Sequence, residues 1–240
     1  MRQKSWLRLR NWCLAGAALA CFAVGVQASP RPAVIELYTS QGCSSCPPAD
    51  ALLGELARRP DVVALAFHVA YWNDLGWVDP FAIPDAAKRQ SNYSKARGQA
   101  SVYTPQAIVD GHEEYVGTDR TKLESAIDEV RTGVPITLGI DARNLVIELG
   151  GAQCLAPSDV LAVTFLRKAV SPIGRGENAG RLLTEFNIVR SIEKIGEWSG
   201  GAVTFRVSLD TVPRDATDVA VLVQLPGQGQ IVGAATHTVR

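Results

Sequence analysis

The chain has 240 residues, with 24 basic and 24 acidic side chains, 47% hydrophobic and 20% charged content, and five cysteines. A zero balance excludes a strongly basic nucleic-acid binder, and 7% aromatics with 21 Gly and 13 Pro exclude a disordered or fibrous chain. The length suits one large domain or two small ones and is ample for a buried core.

The charge is unevenly placed. All four charges in the first 28 residues are basic: Arg2, Lys4, Arg8 and Arg10. An apolar run, Leu14 to Val26, follows and ends in the small-x-small pattern Val26-Gln27-Ala28 before Ser29-Pro30. This order predicts a secretory signal peptide over 1–28, cut after Ala28. The run is short for a membrane span of about 20 residues, and a lipoprotein reading at Cys21 lacks a large aliphatic residue three places upstream. Cleavage would leave 212 residues with 20 basic and 24 acidic side chains, exported to a periplasmic or extracellular compartment and without a stable membrane span. Three cysteines would remain, Cys43, Cys46 and Cys154, in surroundings where disulfides persist. One pair plus one spare thiol is the simplest allocation.

Along the remainder, Ala33 to Thr39 is a run of β-formers that stops at Ser40-Gln41-Gly42, directly before Cys43-Ser44-Ser45-Cys46-Pro47-Pro48. From Ala49 to Arg58, residues Leu52, Leu53, Leu56 and Ala57 recur at helical spacing, and Pro60 ends the pattern. Pro47 and Pro48 fit a first turn, whose amides have no helical acceptor. Val62 to Phe67 is near-continuously apolar, as a strand covered on both faces requires. These segments make a βαβ unit. Residues 71–82 read as an irregular aromatic loop carrying Trp72 and Trp77, and Pro84 opens a polar helix to about Gly98. Gln106 to His112 reads as strand and turn, with Glu113 to Val116 as hairpin partner. Asp119 caps a last helix in which Leu123, Ile127 and Val130 face inward.

After Gly133 the periodicity turns from helical to alternating, which sets a boundary between a domain at 33–132 and a β-rich domain at 134–240. Predicted strands are Ile136 to Asp141, Leu145 to Leu149, Val160 to Leu166, Phe186 to Ile192, Val203 to Leu209, Val219 to Leu225 and Ile231 to Thr236. Several short strands separated by turn signals suggest a small antiparallel sandwich.

The Cys-x-x-Cys at 43–46 is the strongest chemical signal, because it is expected after a strand and in the first turn of a helix in a chain read as exported. Unpaired amides and the positive end of a helix dipole would stabilise a thiolate at Cys43. Cys46, one turn later, would resolve a mixed disulfide and return the cyclic Cys43–Cys46 form. Thr104-Pro105 stands immediately before a predicted strand, so Pro105 is a candidate cis residue. At this point the chain resembles thioredoxin-like proteins, in which a cis-proline packs beside the Cys-x-x-Cys. The resemblance implies that the Thr104 backbone pairs with an extended substrate segment and that Pro105 keeps metals from the thiols.

The segments Glu36 to Asp50, Trp72 to Phe81, Tyr103-Thr104-Pro105-Gln106 and Arg175-Gly176-Glu177-Asn178 together are similar to the exported bacterial family called domain of unknown function 1223. That likeness covers essentially all of the chain after residue 28. It implies an α/β thioredoxin-like domain followed by a mainly antiparallel, sandwich-like β domain. Acidic residues are usual in its pattern where this chain has Ala70 and Asn73.

The expected activity is thiol–disulfide exchange on exported protein thiols or disulfides, with an unidentified redox partner and no cofactor. The alternative is a binding module on the same scaffold with a static Cys43–Cys46 staple. His68 ends an apolar strand and reads either as a proton shuttle beside the thiols or as a buried, hydrogen-bonded histidine. Trp72 and Trp77 either line a peptide surface or cap a core. Arg175 either holds a carboxylate or helps tie down a loop at the domain interface. Cys154 reads either as a spare reactive thiol or as a small packed residue. No zinc spacing joins Cys43 and Cys46 to His68, His112, His237 or Cys154, and no metal site is expected. Gly-x-Ser-x-Gly, Walker and Gly-x-Gly-x-x-Gly motifs are absent.

Overall fold

The computed structural model describes residues 29–153 and 156–240. The signal-peptide segment and Cys154 therefore lie outside the described residues. The elements in chain order are β1 (Ser29–Pro30), β2 (Ala33–Thr39), α1 (Pro47–Leu56), β3 (Val62–His68), α2 (Pro84–Ala96), β4 (Gln106–Val109), β5 (Glu113–Val116), α3 (Arg120–Ile127) and β6 (Thr132–Gly133). They continue as β7 (Ile136–Asp141), β8 (Asn144–Leu149), β9 (Ser158–Pro172), β10 (Leu182–Trp198), β11 (Val203–Ser208), β12 (Asp218–Gln224) and β13 (Ile231–Thr238).

Every residue of β2 and β3 is buried, as their continuous apolar sequences require. The two strands run parallel, from Ala33 opposite Val62 to Thr39 opposite His68. Alternation sends Ala33, Ile35 and Leu37 to one face, where Leu52, Leu53 and Leu56 of α1 and Leu123, Ala126 and Ile127 of α3 cover them. Val34 and Tyr38 go to the other face with Ala86 and Tyr93 of α2. The same parity places Thr39 and His68, at the strand ends, on the α1 side. α3 starts where predicted, with Asp119 Oδ1 accepting from the Lys122 amide at 3.2 Å. It stops at Ile127, however, so Val130 lies beyond the helix and is 97% exposed rather than inward-facing.

The change of pattern at Gly133 is not a break in the sheet. Among the described residues one eight-stranded, mostly antiparallel sheet runs β13-β12-β9-β10-β3-β2-β4-β5. It joins both parts of the chain through a parallel β10–β3 contact, with Ile188 opposite Ala66. Asn187, at φ 48°, adds a side-chain bond across this seam by donating from Nδ2 to Ala64 O at 2.9 Å. The α2-side core accordingly includes Leu161, Val163, Phe165, Leu222 and Ile231 from the β-rich part. α1 straddles the seam, with Gly54 so close to Phe186 that an added Cβ would fall 2.3 Å from the ring. A sandwich-like region exists at the far end, where Leu145, Ile147 and Leu149 of the three-stranded sheet β11-β8-β7 pack with Val160, Val219 and Val221 of the large sheet. β9 and β10 form a hairpin much longer than predicted. Their outer ends, such as Arg167-Lys168, have no continuous apolar face to mark them.

Candidate functional site

Cys43 and Cys46 form a disulfide, with Cα atoms 5.4 Å apart, at the carboxyl end of β2. The helix proper begins at Pro47 and Cys46 is its N-cap residue, so Cys43 sits in the preceding turn rather than in the helix. The two prolines are the reason. They supply no N–H, and the turn is closed instead by Cys46 N donating to Cys43 O at 3.2 Å and Asp50 N to Cys46 O at 3.1 Å. The amide donors available to a Cys43 thiolate are correspondingly fewer than the sequence pattern suggested. Ser44 N is engaged by Glu177 Oε2 at 3.1 Å, an interaction that holds the Glu177 carboxyl below its usual range. Cys43 Sγ lies 3.3 Å from Ser45 Oγ.

Opposite the disulfide the Thr104–Pro105 peptide bond is cis, and Thr104 O lies 4.0 Å from Cys43 Sγ. Pro105 O is tied down by Gly117 N at 2.9 Å, and Gly117 leaves no room for a side chain against Leu37 and Pro105. Trp72 Nε1 donates to Thr104 Oγ1 at 2.9 Å, and Trp77 Nε1 donates to Gln41 Oε1 at 2.9 Å. Both half-buried tryptophans are thereby latched to the walls of the site. Tyr71, Leu75, Val78 and Tyr103 are exposed around it, while both cysteines are fully buried.

The Arg175-to-Asn178 motif reaches the site from the β-rich part, through residues other than the expected one. Asn178 Nδ2 donates to Gln41 O and to Cys43 O, each at 2.9 Å, and Glu177 takes the Ser44 amide. Arg175 is exposed and makes none of these contacts.

His68 is fully buried on the α1 side. Its Nδ1 lies 2.7 Å from Asp79 Oδ2, which fixes the ring, and its Nε2 is 3.7 Å from Glu185 Oε1 of β10. Burial opposes charge on the imidazole, but Asp79 and Glu185 outweigh it and raise the pKa. Asp79 is in turn held low by His68 and by the amides of Gln41 and Phe81, against the effect of burial. Glu185 is raised, first by burial, although its Oε2 accepts from Gln41 Nε2 at 2.8 Å and Ser171 Oγ at 3.2 Å. Burial pushes Asp50, in the first turn of α1, up to about 7. Sequence reading found His68 but missed Asp50, Asp79 and Glu185. Asp50 was discoverable: it follows Cys46 by four residues and precedes Leu53 by three, on the stripe that faces the sheet. Among the described residues no group of three His, Cys, Asp or Glu is placed to hold a metal ion.

This chain belongs to the family described as Protein of unknown function (DUF1223), whose model matches residues 34–224. A crystal structure of protein AGR_C_4864 from Agrobacterium tumefaciens is similar at 30% identity and a TM-score of 0.76, over 88% of this chain and 95% of that one. HBP35 of Porphyromonas gingivalis shares the fold at 16% identity and a TM-score of 0.59, over 88% of this chain and 76% of that one. No curated protein matches.

Proposed function

We propose that the chain is an exported, thioredoxin-like thiol–disulfide oxidoreductase that acts on protein cysteines through Cys43 and Cys46. The observation that carries this reading is the disulfide set against a cis-proline, with the Thr104 carbonyl facing Cys43 Sγ. An extended segment of a protein substrate would take that carbonyl as a hydrogen-bond acceptor while its sulfur exchanges with Cys43. Export is supported by the basic, apolar, small-x-small order of residues 1–28. Among the described residues no helix is long and apolar enough to cross a membrane.

Access is the decisive issue for this function. Both cysteines are buried and Trp72 is held on Thr104, whose carbonyl faces Cys43, so on this reading substrate entry would involve release of Trp72 by the 71–82 loop. A second reading, a binding module with a static disulfide, is favoured by that same burial. Cys46→Ala, which leaves Cys43 free to hold a partner, separates the two. Thiol-cleavable adducts on Cys43 in the exporting cell support exchange, and their complete absence supports the static staple.

A further inference from the structure

Gln41 stands two residues before Cys43, and each of its hydrogen-bonding groups is engaged. The turn that carries it is already closed by its own chain, with Cys43 N donating to Ser40 O and Gly42 N to Ser40 Oγ, each at 3.1 Å. Gln41 is nevertheless buried, and its backbone and side chain are both held from outside the turn. Its backbone N–H donates to Asp79 Oδ2 at 2.8 Å, and its carbonyl accepts from Asn178 Nδ2 at 2.9 Å. Its side-chain oxygen accepts from Trp77 Nε1 at 2.9 Å, while Nε2 donates to Glu185 Oε2 at 2.8 Å and to Ser171 Oγ at 3.0 Å. A side-chain amide has two N–H donors, and both are used here. Fixing so long a side chain costs rotamer entropy, and a turn closed by its own chain does not require it.

The partners come from two directions. Asp79 and Trp77 belong to the 71–82 loop, whereas Ser171 and Glu185 lie on β9 and β10 and Asn178 on the loop that joins those strands. Asn178 also donates to Cys43 O at 2.9 Å, and its own Oδ1 accepts from Arg181 Nη1 at 3.0 Å, so the side chain that reaches the turn is itself fixed. We propose that Gln41 is the positioning residue for Cys43, and that the β-rich part, through Ser171, Asn178 and Glu185, is the clamp that holds it. This rests on the exchange reading above and gives the β-rich part a task in that reaction.

In the resolving step the Cys46 thiolate attacks Cys43 Sγ of a mixed disulfide. The Cys43–Cys46 bond forms, the bond to the partner sulfur breaks, and that sulfur leaves as a thiolate with the electron pair. The step is fast only when Cys43 Sγ is held facing Cys46 while the two are unlinked. A closed disulfide fixes the turn by itself, so the clamp acts in the reduced and mixed states. There it removes motion that ring closure would otherwise have to freeze. The 71–82 loop is anchored at its Trp77-to-Asp79 end, so Trp72 can be released with the turn still held.

Equilibrium with a dithiol buffer tests the clamp. Gln41→Met keeps the length and removes the amide, and it should make disulfide formation about tenfold less favourable, a rise in reduction potential of about 30 mV. Asn178→Ala frees both carbonyls and should shift the same equilibrium about threefold, or about 15 mV. A purely structural Gln41 would stabilise oxidised and reduced protein equally and leave the potential where it is. Hydrogen exchange of the Gln41 side-chain amide, followed by NMR in the wild-type protein, needs no variant. Those protons should exchange slowly in the oxidised protein and stay slow after reduction by dithiothreitol. Should Gln41→Met not fold, Asn178→Ala and the exchange measurement decide. Exchange at the rate of a free glutamine after reduction, or the wild-type potential in either variant, overturns the Gln41 assignment alone. A wild-type protein that dithiothreitol leaves oxidised overturns the exchange reading, and the Gln41 assignment falls with it.

Discussion

Two buried polar clusters lie on opposite faces of β2 and β3, and they are built on opposite principles. On the α2 side Glu36 receives Arg89 in a bidentate pair, 2.7 Å at each oxygen, and also the hydroxyls of Tyr38 and Tyr93 at 3.0 Å. Arg89 Nη2 further donates to Gln224 Oε1 at 2.9 Å, tying α2 to β12. Charge and hydrogen-bond capacity are matched, so this cluster fixes the helix against both parts of the sheet. On the α1 side Asp50, His68, Asp79 and Glu185 bring three carboxyls to one imidazole and leave several polar atoms without partners. A fold that completes one network 53 residues apart in sequence had the means to complete the other. The incomplete one includes Asp50 in the first turn of α1, the helix that Cys46 caps.

The comparison predicts opposite signs for removing a charge. Arg89→Ala leaves Glu36 buried and unpaired and is expected to destabilise the protein by about 3–5 kcal/mol, measured by denaturant unfolding. Asp50→Asn is expected to stabilise it at pH 8 by up to about 4 kcal/mol. Asp50 holds its proton more tightly folded than unfolded, since its pKa rises from 3.8 to about 7. The folded state therefore binds more protons between those values, and this group lowers stability progressively as pH climbs from about 4 to 7. Above pH 7 the deficit is constant. The gain from Asp50→Asn should follow the same course, near zero at pH 4 and full by pH 8. A destabilising Asp50→Asn at pH 8 would place the two clusters in the same structural class.

Smaller effects should separate the latch from the chemistry. Trp72→Phe keeps the ring but loses the bond to Thr104, and it should speed reduction by dithiothreitol about 2- to 10-fold, in line with one net hydrogen bond. An unchanged rate would mean that the 71–82 loop does not control access. Glu177→Gln removes a carboxylate from the Ser44 amide beside Cys43, and the Cys43 thiol pKa in the reduced protein should fall by less than about 1 unit. A rise, followed by the thiolate absorbance, would show that Glu177 does not oppose the thiolate.

Much of the α/β part was legible because local signals agreed with one another. The β-run to Thr39, the Pro47-Pro48 helix start and the apolar Val62-to-Phe67 stretch all point to the observed β2-α1-β3 unit. Thr104-Pro105 announced the cis bond by its place before a strand. Each β-strand predicted after Gly133 has a counterpart, though β9 and β10 run far beyond their predicted bounds; the pairing was not legible, because β10–β3 links residues more than a hundred positions apart. Asp50 illustrates the remaining limit. An acidic residue in the first turn of a helix reads as an ordinary complement to the dipole, and only the sheet packed beneath α1 turns it into a buried acid. Glu185 falls one residue outside the predicted strand Phe186 to Ile192, and only the longer β10, placed beside β3, brings it into the interior.

The central claim is that the Cys43–Cys46 disulfide turns over. Its reduction potential, measured by equilibrium with defined dithiol buffers at pH 7, tests this most directly. The account predicts a value between about −200 and −300 mV, within reach of protein thiol partners. A potential well below about −300 mV, the range of structural disulfides in secreted proteins, would contradict it.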